Sequence, residues 1–365
     1  MTAAPLRRPP RPRDQIASLP RYVAGSPAIR PDGTPGYKLS SNECPYPVLP
    51  GVTRAIAEAA GAANRYPASG EELRVRLAQH HGLPETAVGV SGGSLELLRD
   101  LLLGFTGAGT SVVYGWRSYE AYPILVQTAG AEPIAVPLRD QRVDLERLAA
   151  AARPDTRAVL LADPNNPTGT AVDMDTLEQF ARDLSPECLL ILDQAYCEFA
   201  DSERAARGLG LARRLPNVVV LRTFSKAHAL AGMRIGWCAA DPEILASLEA
   251  VALPFTLTAS AQAAALAALD QEAVLFAQVQ TTVAQRGRVR QELLAMNFEV
   301  PPSAANFLWL PLGAGSAGFA QWCSRAGISV RCFSGDGVRV TVGTPFENDV
   351  FLAAARGYRP NLDSL

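Results

Sequence analysis

Short runs of apolar and β-branched residues recur between residues 86 and 240, each bounded by turn residues. Six runs predict strands at 111–114, 132–138, 157–162, 188–193, 217–222 and 234–240. Between several of them the apolar residues take a helical spacing, as in LERLAAAA and DTLEQFARDL. Continuous apolar strands alternating with amphipathic helices are typical of a mostly parallel sheet covered by helices on both faces. The pattern therefore predicts an α/β fold, in which ligands bind at the carboxyl ends of the strands.

After about residue 245 the pattern changes to a long helical tract at 261–296, followed by the strand-like NFLWLPL, a short helix, and the strand-like ISVRCF and GVRVTVG. This order predicts a smaller α+β unit. The segment 14–50 is rich in Pro and Gly, and we expect it to wrap around other elements. We therefore predict an N-terminal arm and wrapping segment at 1–40, a large domain at 41–245, and a small domain at 246–365 that includes part of the N-terminal segment. A length of 365 residues, at roughly 150 per domain, agrees with this division.

Composition narrows the classes of partner. Lys and Arg number 34 against 36 Asp and Glu, a net charge of −2, so no nucleic-acid or membrane partner is expected. The N-terminus lacks the apolar core of a secretory signal, and no stretch has the roughly 18 apolar residues of a membrane span. The six cysteines lack the spacing of a zinc site, so no metal site is predicted. We expect them to be free thiols, as in a cytoplasmic protein.

The segment TFSKAHALAGMRIG carries the strongest chemical signal. Lys226 directly follows a predicted strand and a Thr/Ser cluster, which places it at the ligand-binding edge of the sheet. A lysine that forms an imine needs a partly desolvated pocket, and the nearby hydroxyl of Ser225 and guanidinium of Arg234 would suit a phosphate. The alternative interpretation is a solvated surface lysine at the start of a helix.

Three further segments end at the same edge. Asp193 follows an apolar strand, where its carboxylate either caps the next helix or faces a cationic ligand group. Asn166 lies in a turn, NNPTG, after another strand. Gly93 and Ser94 open a helix whose free N–H groups either bind an anion or are simply capped.

Pyridoxal 5′-phosphate requires a set of groups that these segments provide in order along the chain: an anion-binding helix start, an amide, an aspartate and a lysine. Together with SSNECPYP, NRYP, DQAY and RVTVGTP, these motifs resemble the fold-type I, class I/II aminotransferases. Within them the chain is similar to the histidinol-phosphate aminotransferase family, and most similar to its actinobacterial branch for aromatic amino acids such as phenylalanine. The resemblance extends from about residue 19 to 349 and implies a pyridoxal-phosphate-dependent enzyme.

The resemblance implies a role for each matching position. Lys226 would be the catalytic residue, forming the imine and moving the proton. Asp193 would contact the pyridine nitrogen, and Tyr119 would stack on the ring. The remaining implied cofactor contacts are Asn166 and Tyr196 at the phenolic oxygen, and Gly93, Ser94, Ser225 and Arg234 at the phosphate.

The family pattern also implies a homodimer with shared active sites, in which Tyr66 reaches the phosphate across the interface. Arg339 would grip the substrate carboxylate through its guanidinium fork. Tyr22, Asn42 and Arg331 match further substrate-contact positions.

The expected reaction moves an amino group between an aromatic L-amino acid and a 2-oxo acid such as 2-oxoglutarate. Histidinol phosphate, as in histidine biosynthesis, is the alternative, followed by a specialised biosynthetic transaminase and a same-fold decarboxylase. Arg331 does not decide between them, because relatives with either substrate keep an arginine there. Leu95, Gln194 and His228 depart from the family pattern. His228 is expected either to contact substrate or to pack behind the site.

Overall fold

The computed structural model describes residues 10–17, 19–20, 25, 27–30 and 32–359. Its helices are α1 (Asp14–Ala17), α2 (Pro50–Ala60), α3 (Glu71–His81), α4 (Ser94–Phe105), α5 (Ala121–Ala129), α6 (Leu145–Ala151), α7 (Met174–Asp183), α8 (Ser202–Arg214), α9 (Pro242–Val251), α10 (Ala259–Asp270), α11 (Glu272–Ala295), α12 (Ser316–Arg325) and α13 (Pro345–Gly357). Its strands are β1 (Tyr37–Leu39), β2 (Val88–Ser91), β3 (Ser111–Trp116), β4 (Glu132–Pro137), β5 (Thr156–Ala162), β6 (Leu189–Asp193), β7 (Val218–Thr223), β8 (Gly236–Ala239), β9 (Phe307–Leu310), β10 (Ile328–Phe333) and β11 (Gly337–Thr341).

The larger sheet has seven strands in the order β2-β8-β7-β6-β5-β3-β4. Strands β4, β3, β5, β6 and β7 run parallel, which confirms the predicted mostly parallel sheet. All six predicted strands are present. The last of them, β8, runs antiparallel to both β7 and β2. Two parallel strands need a long crossover connection, usually an α-helix, that returns the chain to the end of the sheet where the first strand began. The connection between β7 and β8 contains no α-helix, so β8 runs back in the opposite direction.

Alternate residues of β5 show how the sheet is buried on both faces. Val159 and Leu161 pack with α3, α6, α7, α8 and α10. Ala158 and Leu160 point the other way and pack with α4, α5 and α9. A strand buried on both faces reads as a continuous apolar run because its side chains alternate between two cores.

The smaller sheet has the order β1-β10-β11-β9 and packs against α11, α12 and α13. β1 pairs in parallel with β10, so this part of the Pro- and Gly-rich N-terminal segment joins the smaller sheet. The predicted helical tract at 261–296 is two helices, because the chain leaves the helical conformation at Gln271, between α10 and α11. The buried alanines of α10 belong to the core of the larger sheet. The division of the chain into domains stays a prediction.

The six cysteines are free thiols. Burial raises the pKa of Cys188 to about 11, and those of Cys238 and Cys323 to about 12. These three thiols are therefore protonated and unreactive at neutral pH. Among the helices within the described ranges, none is long and apolar enough to cross a membrane.

Candidate active site

A cavity of about 230 Å³ lies at the carboxyl ends of β5, β6 and β7, the edge predicted from the sequence. Its other wall comes from residues 40–43, which follow β1, and from β10 and β11 of the smaller sheet. The predicted residues that line it are Asn42, Ser94, Tyr119, Asn166, Asp193, Tyr196, Ser225, Lys226, Arg234, Arg331 and Arg339. The fold thus brings eleven of the fourteen predicted residues to one cavity.

Lys226 points into this cavity and is mostly enclosed by protein. Its Nζ lies 3.4 Å from the carbonyl oxygen of Ser41, to which it donates, and 5.7 Å from the centre of the Tyr196 ring. Burial, and after it the positive charges of Arg339 and Arg234, lower the pKa of Lys226 to about 8. A lowered pKa yields more of the neutral, nucleophilic amine at neutral pH. The enclosure contradicts the alternative of a solvated surface lysine.

The Asp193 carboxylate at the end of β6 is held from two sides. Its Oδ2 accepts a hydrogen bond from the Tyr122 hydroxyl at 3.0 Å, and its Oδ1 accepts one from the Ala195 N–H at 3.1 Å. Burial raises the pKa of Asp193, while these two donors and Lys226 oppose the rise. The bond to Ala195 closes a local turn and caps no helix, since the next α-helix, α8, is capped by Asp201. The capping interpretation is therefore wrong, and the carboxylate lines the cavity.

A cradle of backbone and polar side chains lies at the start of α4. Gly93 has a φ of +125°, and a Cβ there would come within 2.7 Å of Arg234 Nη2. Arg234 Nη1 donates to the Ser225 hydroxyl oxygen at 3.4 Å, and Thr223 holds the same hydroxyl at 2.9 Å. Ser94 opens the helix beside them. Free N–H groups at a helix N-terminus, a hydroxyl and a guanidinium together suit a phosphate.

Polar side chains from both sheets also meet in the cavity. Arg339 donates to Asn166 Oδ1 and, at 2.8 Å, to the carbonyl oxygen of Ser40. Asn42, a buried residue with a φ of +54°, donates its Nδ2–H to the Tyr196 hydroxyl at 3.0 Å. These bonds tie the N-terminal segment, the larger sheet and the smaller sheet together around the cavity.

The pattern of the family described as Aminotransferase class I and II matches residues 34–354, nearly the whole chain. The chain belongs to this family. A relative from Thermobifida fusca, named aromatic amino acid aminotransferase, is 46% identical over 353 residues, 96% of this chain and 98% of the relative. One of the same name from Streptomyces coelicolor is 42% identical over 355 residues, 97% of this chain and 99% of the relative.

Solved structures show the same architecture. Histidinol-phosphate aminotransferase from Sinorhizobium meliloti, solved in complex with pyridoxal 5′-phosphate, is 29% identical, with a TM-score of 0.84. The match covers 94% of this chain and 96% of that structure. The fold is therefore the fold-type I aminotransferase fold, and this chain is a pyridoxal-phosphate-dependent aminotransferase.

The donor set of this aminotransferase fits its cofactor. Lys226, mostly enclosed and with a lowered pKa, can form an imine with the aldehyde carbon of pyridoxal phosphate. Asp193, which Tyr122 holds in place, can bind a protonated pyridine nitrogen. The cradle needs glycine at position 93, because any larger side chain there would collide with Arg234. Bound pyridoxal phosphate supplies an electron sink for negative charge at the substrate α-carbon.

Two of the predicted residues that the structure describes do not line the cavity. Gly93 lies behind Ser94 and makes room for Arg234. Tyr66 is 81% exposed and stacks on Phe255 with ring centres 4.4 Å apart, outside the cavity of its own chain. Tyr22 lies outside the described residues.

Residues that depart from the family pattern take different places. Leu95 lines the cavity. Gln194 accepts two hydrogen bonds from Arg222, at 3.1 and 2.8 Å, within the core. His228 lines a different cavity and packs on Phe224 with ring centres 4.6 Å apart, so the packing interpretation agrees with its position.

Sequence reasoning missed Tyr122, Glu120 and the carbonyls of Ser40 and Ser41. Tyr122 is the second residue of α5, three residues after Tyr119, which precedes the helix. Its closeness in the sequence to a predicted cofactor contact is the signal that was available. The carbonyls carry no sequence signal, because every residue type provides one. The ion pair of Glu120 with Arg331 joins positions 211 residues apart, which only the tertiary fold brings together.

Proposed function

We propose that this aminotransferase moves an amino group between an aromatic L-amino acid and a 2-oxo acid such as 2-oxoglutarate. One observation carries the proposal: relatives named aromatic amino acid aminotransferase match 95–97% of this chain at 42–46% identity. The apolar side chains of Leu95 and Leu98 line the cavity and suit an aromatic substrate. We expect it to act in the cytoplasm.

Each cavity residue takes the role that its surroundings support. Lys226 would hold the aldehyde carbon of the cofactor until the substrate amine replaces it there. Its Nζ, then free as a neutral amine, would accept and return the proton at the substrate α-carbon. Asp193, held by the hydrogen bond from Tyr122, would contact the pyridine nitrogen and keep its proton in place. Tyr119 stacks on the ring, and Asn166 and Tyr196 hold the phenolic oxygen. The phosphate is held by the helix start at Gly93 and by Ser94, Ser225 and Arg234.

Arg339 is the group that would bind the substrate α-carboxylate, because its guanidinium fork matches two carboxylate oxygens. Asn166 Oδ1 and the Ser40 carbonyl oxygen accept hydrogen bonds from it and hold the guanidinium in place. Asn42, Arg331 and Tyr22 complete the proposed substrate contacts.

The proposed assembly is a homodimer in which Tyr66 of each chain serves the active site of the other. An exposed apolar group supports this: Leu253 is 58%, Phe255 55% and Tyr66 81% exposed. Exposed apolar side chains that are clustered mark a surface that another protein covers.

Histidinol phosphate is the second candidate substrate. The Sinorhizobium structure of that name and the presence of two arginines, Arg331 and Arg339, in one cavity favour it. An arginine pair suits a phosphate that carries nearly two negative charges.

A titration of the holoenzyme without an acceptor separates the two substrates. We expect phenylalanine, tyrosine and glutamate to convert the visible band of the lysine-bound cofactor to the amine form, whereas histidinol phosphate converts it only at much higher concentrations. Conversion by histidinol phosphate at the lowest concentration would replace the aromatic proposal with the second candidate. Absence of the visible band after pyridoxal phosphate is supplied would contradict the roles given to Lys226 and its cavity.

A further inference from the structure

An ion pair outside the cavity joins the two sheets. Arg117 directly follows β3 of the larger sheet, and Asp336 lies in the turn between β10 and β11 of the smaller sheet. Arg117 donates from Nε to Asp336 Oδ2 at 2.8 Å and from Nη2 to the same oxygen. Neither residue lines the cavity. An effect of this Arg117–Asp336 bridge on the reaction must therefore pass through the residues that it holds.

The ring of Phe333 connects the bridge to the arginines of the cavity. The guanidinium carbon of Arg117 lies 5.4 Å from the centre of this ring and 4.4 Å from the centre of the Trp116 ring. The guanidinium carbons of Arg331 and Arg339 lie 5.5 and 5.9 Å from the centre of the same Phe333 ring. Because Phe333 is buried, a displacement of its ring is transmitted to the groups packed on it.

The turn between β10 and β11 is fixed to the strands on either side of it. The Asp336 N–H donates to the Phe333 carbonyl oxygen at 3.0 Å, and the Asp336 carbonyl oxygen accepts from the Gly313 N–H at 3.1 Å. Arg331 pairs with Arg339 across the hairpin, two residues from Phe333 and about 7 Å along the strand. Holding Asp336 therefore holds the end of the hairpin that carries both arginines.

The other end of the bridge is fixed to the larger sheet. Asn165, a buried residue in the turn after β5, donates from Nδ2 to the Arg117 carbonyl oxygen at 3.1 Å. Its Oδ1 accepts from the Ser118 hydroxyl at 2.7 Å. The segment that carries Arg117 is thus anchored independently of the hairpin, so Arg117 can keep the hairpin in place.

We propose that Arg117 is a positioning residue, which holds the β10–β11 hairpin so that Arg339 is already in place when the substrate carboxylate arrives. The inference rests on the proposed function, which gives Arg339 that role. An exposed ion pair alone contributes little, but the Arg117 side chain is only 23% exposed and its planar guanidinium also packs on two rings.

Both substrates of an aminotransferase carry the carboxylate that Arg339 would bind. A side chain that must be ordered when a ligand binds lowers the affinity for that ligand. We therefore expect loss of the bridge to weaken the binding of amino acids and of 2-oxo acids alike. The proton transfer at Lys226 should change less, because the lost interaction contributes equally before and during that step.

The test compares Asp336→Asn with Glu132→Gln as a matched control. Glu132 on β4 pairs with Arg153, just before β5, and this ion pair does not involve the smaller sheet. Each substitution removes one negative charge from an arginine pair while keeping the shape of the side chain. Conversion of each holoenzyme by phenylalanine and by glutamate, without an acceptor, gives a maximal rate and a half-saturating concentration. The dissociation constant of 3-phenylpropanoate, a carboxylate without an amino group, is read from the visible band of the lysine-bound cofactor.

We expect Asp336→Asn to raise both half-saturating concentrations and the dissociation constant by about threefold to tenfold, the cost of ordering one side chain on binding. The maximal rates should fall by less, and Glu132→Gln should resemble the wild type. The double variant Arg117→Gln/Asp336→Asn should bind no more weakly than Arg117→Gln alone, because either substitution breaks the same ion pair.

Wild-type affinity in Asp336→Asn, an equal loss in Glu132→Gln, losses that add in the double variant, or a fall confined to the maximal rates would each overturn the inference. The visible cofactor band of each variant shows that the fold and cofactor site are intact, so loss of folding is recognised separately. A wild-type enzyme that is converted by glutamate but by no aromatic amino acid would instead overturn the proposed function, and the glutamate measurements then test the inference by themselves.

Discussion

At the scale of single residues, the chemistry depends on how the protein alters ordinary side chains. Lys226 has a low pKa because it is buried and because Arg339 and Arg234 lie nearby, while Glu43 and Asp193 act in the opposite direction. Tyr122 keeps its proton, since burial raises its pKa well above 10, and so donates to Asp193. Each effect depends on groups that are distant in the sequence.

The pKa of Lys226 predicts how cofactor capture depends on pH. Only the neutral amine attacks an aldehyde, so the rate at which apoenzyme takes up pyridoxal phosphate should rise with pH through a midpoint of about 8. Stopped-flow absorbance measures this rate. Arg339→Leu should move the midpoint upward, because removing a positive charge stabilises the ammonium form. A wild-type midpoint near 10.5 would contradict this account of the cavity.

At the scale of elements, helix ends and packing faces explain where the chain turns. α13 begins with a capping box, in which Thr344 Oγ1 accepts from the Glu347 N–H and Glu347 Oε2 accepts from the Thr344 N–H. Pro345 occupies the first turn, where its missing N–H has no cost. The helix packs Phe351 and Leu352 against the smaller sheet, which carries both cavity arginines.

This cap predicts a measurable loss of stability in Thr344→Ala. Removing the hydroxyl leaves the N–H of Glu347 without its acceptor, which should lower the free energy of unfolding by about 1 kcal/mol. Urea denaturation followed by circular dichroism measures the change. Thr344→Ser keeps the hydroxyl and should retain most of the stability. Equal stability of Thr344→Ala and wild type would show that the capping hydroxyl contributes nothing.

At the scale of the whole molecule, the cavity exists because two sheets meet. The larger sheet supplies Lys226 and Asp193, the smaller sheet supplies Arg331 and Arg339, and residues 40–43 close the space between them. The proposed dimer adds the partner's Tyr66, which in its own chain lies at the surface on Phe255.

Mixing two inactive or weakened variants tests this sharing. We expect Lys226→Ala to be inactive and Tyr66→Ala to be weak when each is purified alone. A mixed dimer holds one complete site, because the chain with Lys226 receives Tyr66 from its partner. Random reassociation of equal amounts should restore about a quarter of the wild-type sites. Light scattering confirms the dimer mass. No restored activity in proven mixed dimers would contradict the sharing of Tyr66.

Much of the fold follows from local pattern. The apolar runs predicted every strand of the larger sheet from β3 to β8. The inner strands have to be apolar throughout because they are buried on both faces, whereas the edge strand β4 is partly exposed. The direction of β8 and the break at Gln271 were not predicted. Periodicity reports neither the direction of a strand nor a break within a helical run. The direction of β8 follows from the connection after β7, which holds no α-helix.

The sequence by itself determined the α/β class, the edge of the sheet that binds ligands, and the order of Ser94, Asn166, Asp193 and Lys226 along the chain. These features are local: each follows from a strand, its turn and the residue type at its end. Tertiary structure alone decided the low pKa of Lys226, the bond from Tyr122 to Asp193 and the ion pair between Arg331 and Glu120. Burial and charge pairing depend on distances in space, so these properties arise only when the two sheets close around the cavity.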